Sequence, residues 1–316
     1  MNDFNKKAIR GGNSLTSWEA NATSKIVFQI LNDHSNGTVH SVFNNSFNLI
    51  FGERMIHIGS VENGVAPFGI GMEHMNAQLL TRQIKGNLPV QWDAFNKQLI
   101  IGNKHLLSLN QVVRTNHLLS EQSFNTTSIQ RNLDWIISKL RHESWQTGLA
   151  QTVEEKEYII DYLLSRKITD ANQSLFRKFD ELDCVVKNCY GPDVQNVFDY
   201  WIGRGLGLTP SGDDLLTGIC ASLSVLQGTS NRFHLQLRGY VTQYGLQRTT
   251  QVGYEYLYYA AQHKYHSHLI QFCSALLTEQ ESSLSAVLEE MRAIGHTSGT
   301  DTIIGVLLGM KIGLVD

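Results

Sequence analysis

The sequence is poor in proline and cysteine and carries no excess of positive charge. Its 316 residues include 4 prolines and 4 cysteines, and 26 lysines and arginines against 29 acidic residues leave a formal net charge of -3. Nucleic acids and anionic membranes are bound through concentrated positive charge, so neither is expected as the main partner. Cys184, Cys189, Cys220 and Cys273 show neither a CxxC pair nor zinc spacing, so we expect free thiols in a reducing compartment.

Long apolar runs are also missing. No uninterrupted apolar stretch reaches the roughly 20 residues needed to cross a membrane, and residues 1–25 lack the apolar segment of a signal peptide. We therefore expect a soluble, cytoplasmic protein. With 42% hydrophobic residues, a chain of this length is large enough to form two domains.

Short segments of β character occupy the first third of the chain. Between residues 24 and 110 lie KIVFQIL, TVHSVF, FNLIFG, MIHIGS, QLIIG and HLLSL, separated by the turn-forming residues Asn, Gly and Asp. This spacing predicts a small antiparallel β barrel or sandwich over residues 24–118, preceded by a polar segment at 1–23.

The apolar periodicity becomes helical from about residue 128 onward. Apolar residues recur at helical spacing in IQRNLDWIISKLRH and EKEYIIDYLLSRK, and Gly191-Pro192-Asp193 signals another helix start. The polar, aperiodic segment 119–128 is the expected linker. The sequence thus predicts an α+β protein, in which the N-terminal β domain is followed by a larger all-α domain over residues 129–316.

A short motif occurs twice in the helical region, as SGDDLLTG at 211–218 and as SGTDTIIG at 298–305. The two copies are separated by 87 positions (298 − 211). Ser-x-x-Asp before an apolar run is the pattern of a capping box, in which the serine caps a first-turn amide and the acid returns to the serine amide. Two good helix starts alone would explain this pattern, and that structural interpretation stays open.

The first copy follows a glycine-rich segment, GRGLGLTP at 203–210. A cap needs none of these glycines, and each loses more backbone entropy on folding than another residue would. Glycines before a helix N-terminus let amide groups approach an anion, which the helix dipole also attracts. We therefore predict a small-anion site at the two helix starts, formed by Gly205, Gly207, Thr209, Ser211, Gly212, Asp213, Thr297, Ser298 and Gly299.

Three titratable residues beside this predicted site are candidates for catalysis: His296, Asp214 and Asp301. A histidine exchanges protons near neutral pH, and an acid beside the anion could orient an amino group of the substrate. Asp213 or Asp214 is also a candidate ligand for Mg²⁺, although the sequence has no recognised metal spacing. The plainer interpretations are that His296 hydrogen-bonds a helix cap and that Asp213 only complements the helix dipole.

Small residues recur every four positions after both motifs. Gly305, Gly309 and Gly313 follow the second copy, and the equivalent positions after the first are Gly218 and Ser222. A glycine inside a helix costs roughly 1 kcal/mol relative to alanine, and close helix packing is the usual compensation. We predict that the two helices cross at these faces and that both N-termini open on one pocket.

Three segments resemble the family of the AllH subunit of oxamate carbamoyltransferase: GLGLTPSGDDLLTG, YEYLYYAAQ and AIGHTSGTDTIIGVLLG. The resemblance runs from about residue 195 to the end and is weaker in the β region, apart from the turn APFGIG. It implies anaerobic allantoin (purine) catabolism, in which oxalurate and phosphate give oxamate and carbamoyl phosphate. It also implies an AllG-like partner subunit and an FdrA-like one, the latter similar to an acyl-CoA synthetase. The resemblance supplies no catalytic residues.

Three functional hypotheses follow. In the first, the chain is a carbamoyltransferase-like subunit that binds a small anion: carbamoyl phosphate, phosphate, oxamate or oxalurate. In the second, it is a non-catalytic scaffold or regulatory subunit whose glycine motif only packs helices. In the third and weakest, it is a small-molecule kinase that uses GRGLGLT as a phosphate loop, against which the missing P-loop lysine counts.

Overall fold

The structure is a computed structural model that describes residues 15–165, 174–278 and 281–314. The chain divides into two compact units, one with residues up to 62 together with 69–114, the other with 63–68 and 115–316. Each unit has its own apolar core. Of the polar segment predicted at 1–23, residues 1–14 lie outside the described part.

The first unit is built on one mixed sheet. Its strands, among the described residues, are β1 (Thr16–Glu19), β2 (Ala22–Ser24), β3 (Asn36–Val42), β4 (Phe47–Phe51), β5 (Arg54–Ser60), β6 (Gly69–Met72), β7 (Pro89–Asp93), β8 (Gln98–Ile101), β9 (His105–Ser108) and β10 (Val113–Thr115). They follow the order β1-β9-β8-β7-β3-β4-β5-β6-β2-β10. Most neighbours are antiparallel, whereas β1 with β9 and β5 with β6 are parallel. Two α-helices accompany the sheet in the described range, α1 (Lys25–Asp33) and α2 (His74–Thr81).

Five of the six segments predicted as strands are strands, and the sixth is wrong. KIVFQIL lies in helix α1, where the Ser24 side chain caps the helix by accepting a hydrogen bond from the amide of Ile26 at 3.2 Å. Val27, Ile30 and Leu31 are buried along one side of this helix. A short apolar run of β-branched residues fits either a strand or a buried helix face, and here the serine cap favours the helix.

The second unit is helical. Its helices, among the described residues, are α3 (Thr126–His142), α4 (Val153–Leu163), α5 (Ser174–Val186), α6 (Val194–Trp201), α7 (Ser211–Val225), α8 (Arg232–Arg248), α9 (Gln251–Ala260), α10 (Ser267–Leu276), α11 (Glu281–Arg292) and α12 (Ser298–Gly313). The predicted α+β class, a strand region followed by a larger helical region, is confirmed. So is the helix start at Asp193, whose side chain accepts from the amide of Gln195 at 3.0 Å. No helix in the described ranges is long and apolar enough to cross a membrane.

Helices α7 and α12 pack directly against each other through their glycines. A methyl group added at Gly218 would lie 2.2 Å from the carbonyl oxygen of Thr302, and one at Gly305 would lie 2.1 Å from that of Leu215. Farther along, a methyl group at Gly309 would lie within 1.9 Å of Ser222 Oγ. Residue numbers rise together along both helices, so the pair runs parallel. The predicted contact of small faces is confirmed, and it places both N-termini at the same end.

Filling this contact should destabilise the protein. We expect Gly218→Ala and Gly305→Ala each to lower the free energy of unfolding by about 3 kcal/mol, because the methyl group would force the two backbones apart. Urea unfolding followed by circular dichroism measures the change. The matched control is Gly239→Ala in α8, an exposed helical position with no heavy atom within 4 Å of the new methyl group. That change should raise stability by about 0.5–1 kcal/mol. A Gly305→Ala protein as stable as the wild type would contradict the packing.

Candidate functional site

The N-terminal ends of α7 and α12 converge with two loops. Thr209, just before α7, has its Oγ1 at 3.0 Å from Ser298 Oγ at the start of α12. Gly148, in the loop between α3 and α4, lies against both helix starts, since a methyl group there would be 2.1 Å from Ser211 Oγ and 3.4 Å from Thr297 Oγ1. The two serines, 87 positions apart (298 − 211) in the chain, therefore lie at one end of the helix pair.

The predicted capping boxes are wrong. The residues at the N-cap positions are Pro210 and Thr297, and neither side chain accepts a hydrogen bond from a first-turn amide. Ser211 and Ser298 are instead the first helical residues. The serines are thus one position too late to cap their own helices, which leaves their hydroxyl groups free to interact with other side chains.

Each acid of the duplicated motif pairs with the serine of the other helix. The hydroxyl of Ser298 hydrogen-bonds the carboxyl group of Asp214, and the hydroxyl of Ser211 hydrogen-bonds that of Asp301. In two parallel helices that start side by side, the fourth residue of each lies beside the first turn of its neighbour. The serine and aspartate of the Ser-x-x-Asp spacing therefore form hydrogen bonds between the two helices and not within one of them.

Asp301 also holds the loop between α3 and α4. Its carboxylate accepts hydrogen bonds from the hydroxyl of Thr147 and from the amide of Gly148, the latter at 3.1 and 3.2 Å to its two oxygens. The side chain is fully buried. Burial raises the pKa of Asp301 above its usual range, and the hydrogen bonds from Thr147, Ser211 and Gly148 oppose that rise.

Asp214 is the least satisfied of the buried acids. It is 7% exposed, and its Oδ2 has no hydrogen-bond partner among the described residues. Burial raises its pKa well above the usual range; the hydroxyl groups of Ser298 and Thr209 oppose the rise, while the charges of Asp301 and Asp213 add to it. A carboxyl group in this environment favours its protonated form, which can donate a hydrogen bond.

Asp213 anchors the glycine-rich segment. Its Oδ1 accepts the amide of Gly203 at 2.8 Å, and its Oδ2 accepts the hydroxyl of Thr249, just before α9. A methyl group at Gly253, in the first turn of α9, would lie 2.3 Å from that Oδ2. Burial raises the pKa of Asp213 to about 6, opposed by the bonds from Thr249 and Gly203. The sequence predicted that Asp213 binds the anion. These contacts instead support a role in positioning the glycine-rich segment against α9.

In the described part of the chain, the three acids have no cationic partner. None of the ion pairs in the described part of the chain involves Asp213, Asp214 or Asp301. No three His, Cys, Asp or Glu side chains among those residues are placed to hold a metal ion. Helix N-termini and hydroxyl groups are therefore the main groups that stabilise negative charge here.

The glycines of the segment before α7 adopt left-handed conformations and serve different purposes. A methyl group at Gly203, with φ 78°, would collide with the carbonyl oxygen of Arg248 at 1.9 Å. At Gly205, with φ 111°, it would lie 2.8 Å from the amide nitrogen of Ser211. Gly207, with φ 102°, faces open space. Gly205 therefore keeps side-chain atoms away from the Ser211 amide, while Gly203 is required for packing.

The motif glycines have occupied amides. Gly212 donates its N–H to the carbonyl of Arg204 at 2.9 Å, and Gly299 donates to that of Ile294 at 3.0 Å. A methyl group at either glycine would lie 1.9 Å from a carbonyl oxygen of the preceding helix. Both therefore pack a turn closely against its own helix start, and their N–H groups are not available to a ligand.

Other amides at the two helix starts are free. The N–H groups of Ser211, Ser298 and Thr300 have no acceptor within the described ranges. Ser211 and Thr300 are buried, and Ser298 is half-buried. The first N–H groups of a helix have no acceptor within their own helix, so these amides take an acceptor from outside it. An acceptor supplied by a ligand would satisfy them.

The remaining predicted residues lie at the outer edge. Thr297 is half-buried, and His296 is exposed and has no hydrogen-bond partner among the described residues, so the plainer interpretation of it as a cap partner finds no contact. Sequence patterns missed Thr147 and Gly148, which belong to a loop without a motif. They also missed Tyr256, whose pKa is raised by burial and by the charge of Asp214. Tyr256 lies in a stretch of aromatic residues, a pattern that is typical of a hydrophobic core and predicts no functional role.

Matches to protein families fall in both units. Residues 201–310 match the family described as oxamate carbamoyltransferase subunit AllH, and residues 16–115 match the AllH family N-terminal domain. The chain belongs to the AllH family. The resemblance seen in the sequence is thereby confirmed, and the AllH family name points to a subunit of oxamate carbamoyltransferase. Solved structures gave no match.

The raised pKa of Asp213 predicts a pH-dependent stability. Its pKa is about 6 in the fold and about 3.9 in an unfolded chain, so the folded state binds the proton more tightly. The stabilisation of the fold by protonation of Asp213 is fully present below pH 4 and is lost as the pH rises through about 6. We expect the free energy of unfolding of the wild type, minus that of Asp213→Asn, to fall by about 2 kcal/mol from pH 4 to pH 7.

Urea titrations of both proteins across this pH range measure the difference. The asparagine variant corrects for all other titrating groups, which both proteins share. A difference that increases with pH would show that the hydrogen bonds from Gly203 and Thr249 outweigh burial, and would contradict the prediction.

Proposed function

We propose that this chain binds a small anion at the paired starts of α7 and α12, as a subunit of an oxamate carbamoyltransferase-like enzyme. The supporting observation is the set of unpaired amides of Ser211, Ser298 and Thr300 at the N-termini of two parallel helices. Carboxylate and phosphate oxygens are the usual acceptors at such positions. Oxamate, oxalurate, phosphate and carbamoyl phosphate all carry these groups.

The helix pair supplies positive potential without a positive side chain. Each helix contributes roughly half a positive charge at its N-terminus, and parallel packing places the two ends together. The carboxyl groups of Asp214 and Asp301 would repel an anion if both were ionised. The pKa of Asp214 is raised well above its usual range, which favours its neutral form, and a protonated Asp214 can donate through its otherwise unpartnered Oδ2.

The proposed reaction is transfer of a carbamoyl group from oxalurate to phosphate. A phosphate oxygen attacks the carbamoyl carbon, negative charge develops on the carbonyl oxygen, and the bond to the oxamate nitrogen breaks as that nitrogen takes up a proton. Amides at the two helix starts would stabilise the developing charge. Asp214 or Asp301 would hold a proton beside the site, and the exposed His296 would exchange one with solvent.

The family name designates a subunit, which supports a complex. We propose that the other members are the AllG-like and FdrA-like subunits implied by the resemblance. Free cysteines, two of them fully buried, support a reducing, cytoplasmic location.

A non-catalytic scaffold is the second candidate. It is favoured by the glycines at 218, 305 and 309, because the methyl-group clashes account for their presence by helix packing alone. A scaffold would gain no stability from a small anion, whereas a binding subunit should gain about 2.7 kcal/mol at a ligand concentration 100 times the dissociation constant.

Binding of oxamate and of phosphate to the isolated chain tests the site directly. We expect calorimetric binding by the wild type and an affinity at least about tenfold lower for Ser298→Ala, which removes one hydroxyl group from the site and corresponds to about 1.4 kcal/mol. Gly205→Ala should weaken binding further, because its methyl group would crowd the Ser211 amide. The matched control is Ser283→Ala, which alters an exposed serine of α11.

The outcomes separate the two candidates. Equal affinity in the wild type and in Ser298→Ala would reject the site, and no ligand-dependent rise in melting temperature would favour the scaffold. If binding is found, carbamoyl-phosphate formation by the reconstituted complex should fall by about 10²-fold or more in Asp214→Ala, as expected for loss of an acid–base group.

A further inference from the structure

A second polar cluster lies near the other end of α7. Ser224 Oγ is 2.7 Å from Nδ1 of His263, 3.0 Å from Nε2 of His234 and 2.7 Å from the hydroxyl oxygen of Tyr265. It can also donate to the carbonyl oxygen of Cys220 at 2.9 Å. Ser224 lies 13 positions (224 − 211) after the start of α7, which is about 20 Å along a helix. The cluster is therefore separate from the proposed anion site.

A third residue orients His263. Its Nε2 is 3.0 Å from Oδ1 of Asn231, an oxygen that can only accept, so Nε2 carries the hydrogen. In a neutral imidazole, Nδ1 is then the acceptor, and it faces the hydroxyl of Ser224. Serine, histidine and an orienting amide in this sequence of hydrogen bonds form the arrangement that activates a serine nucleophile.

The surrounding groups fit this arrangement. Burial lowers the pKa of His263 below its usual value, and burial with the neighbouring His263 lowers that of His234 to about 3, so both rings are neutral near pH 7. His263 has a left-handed φ of 60°, a conformation that costs energy in a residue with a side chain and that occurs often at functional sites. The His234 ring stacks on it at 4.1 Å between centroids.

The cluster opens on a cavity. Ser224, Asn231, His234 and His263 line a space of about 360 Å³, together with the segments 118–121 and 229–230 and Leu223. This volume is within the range of small-molecule sites. The lining contains Glu121 and neither lysine nor arginine, and it lies at the C-terminal end of α7, where helix carbonyls carry partial negative charge. An uncharged ligand fits this environment better than an anion.

We infer that Ser224, His263 and Asn231 form a second reactive site, an acyl-accepting serine that takes small uncharged esters or carbamates from this cavity. In the reaction, Ser224 Oγ bonds to the carbonyl carbon while its proton passes to Nδ1 of His263. The bond to the leaving alcohol breaks, and that alcohol takes the proton. Water then attacks the acyl-serine, returns a proton to Ser224 and releases the acid.

Labelling of the full chain with diisopropyl fluorophosphate tests this site. The probe is small and uncharged; its phosphorus bonds to an activated serine oxygen and fluoride departs. We expect one adduct per chain by intact mass, mapped to Ser224 by peptide mass spectrometry. Ser224→Ala should abolish it, and His263→Ala should slow labelling by about 10²-fold or more, as for loss of a general base. Mapping the adduct in the wild type needs no variant to fold.

Three further variants separate reactivity from structure. Ser283→Ala removes an exposed serine of α11 that does not line this cavity, and it should label at the wild-type rate. Asn231→Leu removes the acceptor for His263 and should slow labelling, whereas Asn231→Asp keeps the acceptor and should restore it to within about tenfold. An unlabelled but folded wild type would overturn the inference. So would an adduct on any other serine, or an Asn231→Asp variant as slow as Asn231→Leu.

Discussion

The close parallel packing of α7 and α12 is the constraint on which the rest of the helical unit depends. Two glycines, Gly218 and Gly305, allow the backbones to touch, and no other residue type fits there without moving them. Parallel helices with aligned starts place two positive dipole ends together, an arrangement that is unfavourable unless negative or acceptor groups lie near them. The buried acids, the hydroxyl groups and the proposed anion all follow from this one contact.

The acids satisfy the dipoles in unequal ways. Asp213 is used to tie the glycine-rich segment to α9, and Asp301 holds the loop between α3 and α4. Asp214 alone keeps an oxygen without a partner among the described residues. Two of the three acids thus have hydrogen-bond partners on both oxygens, and only Asp214 keeps an oxygen for the acid–base role proposed above. This division also explains why so much carboxylate is tolerated beside a helix N-terminus that is proposed to bind an anion.

Local patterns predicted five of the described strands, five of the described helices and the pairing of the two motifs, because each of these leaves a periodic or repeated signal. They misassigned Lys25–Asp33, where an apolar run fits both a strand and a buried helix face. The capping boxes were wrong for a different reason: the same Ser-x-x-Asp spacing serves a bond within one helix or between two, and only tertiary contact decides. Thr147, Gly148 and the Ser224 cluster gave no signal, since their partners lie far away in the chain.

The reciprocal contacts of Asp214 with Ser298 and of Asp301 with Ser211 are those of a local twofold axis that runs along the helix pair. Residues off the motif break this pseudo-symmetry. The position equivalent to Asp213 is Thr300 (213 + 87). The start of α7 therefore has the hydrogen-bonded carboxylate of Asp213, and the start of α12 has the unpaired amide of Thr300. A molecule lying on the axis would meet chemically different halves, and an unsymmetrical substrate would therefore be held in a single direction.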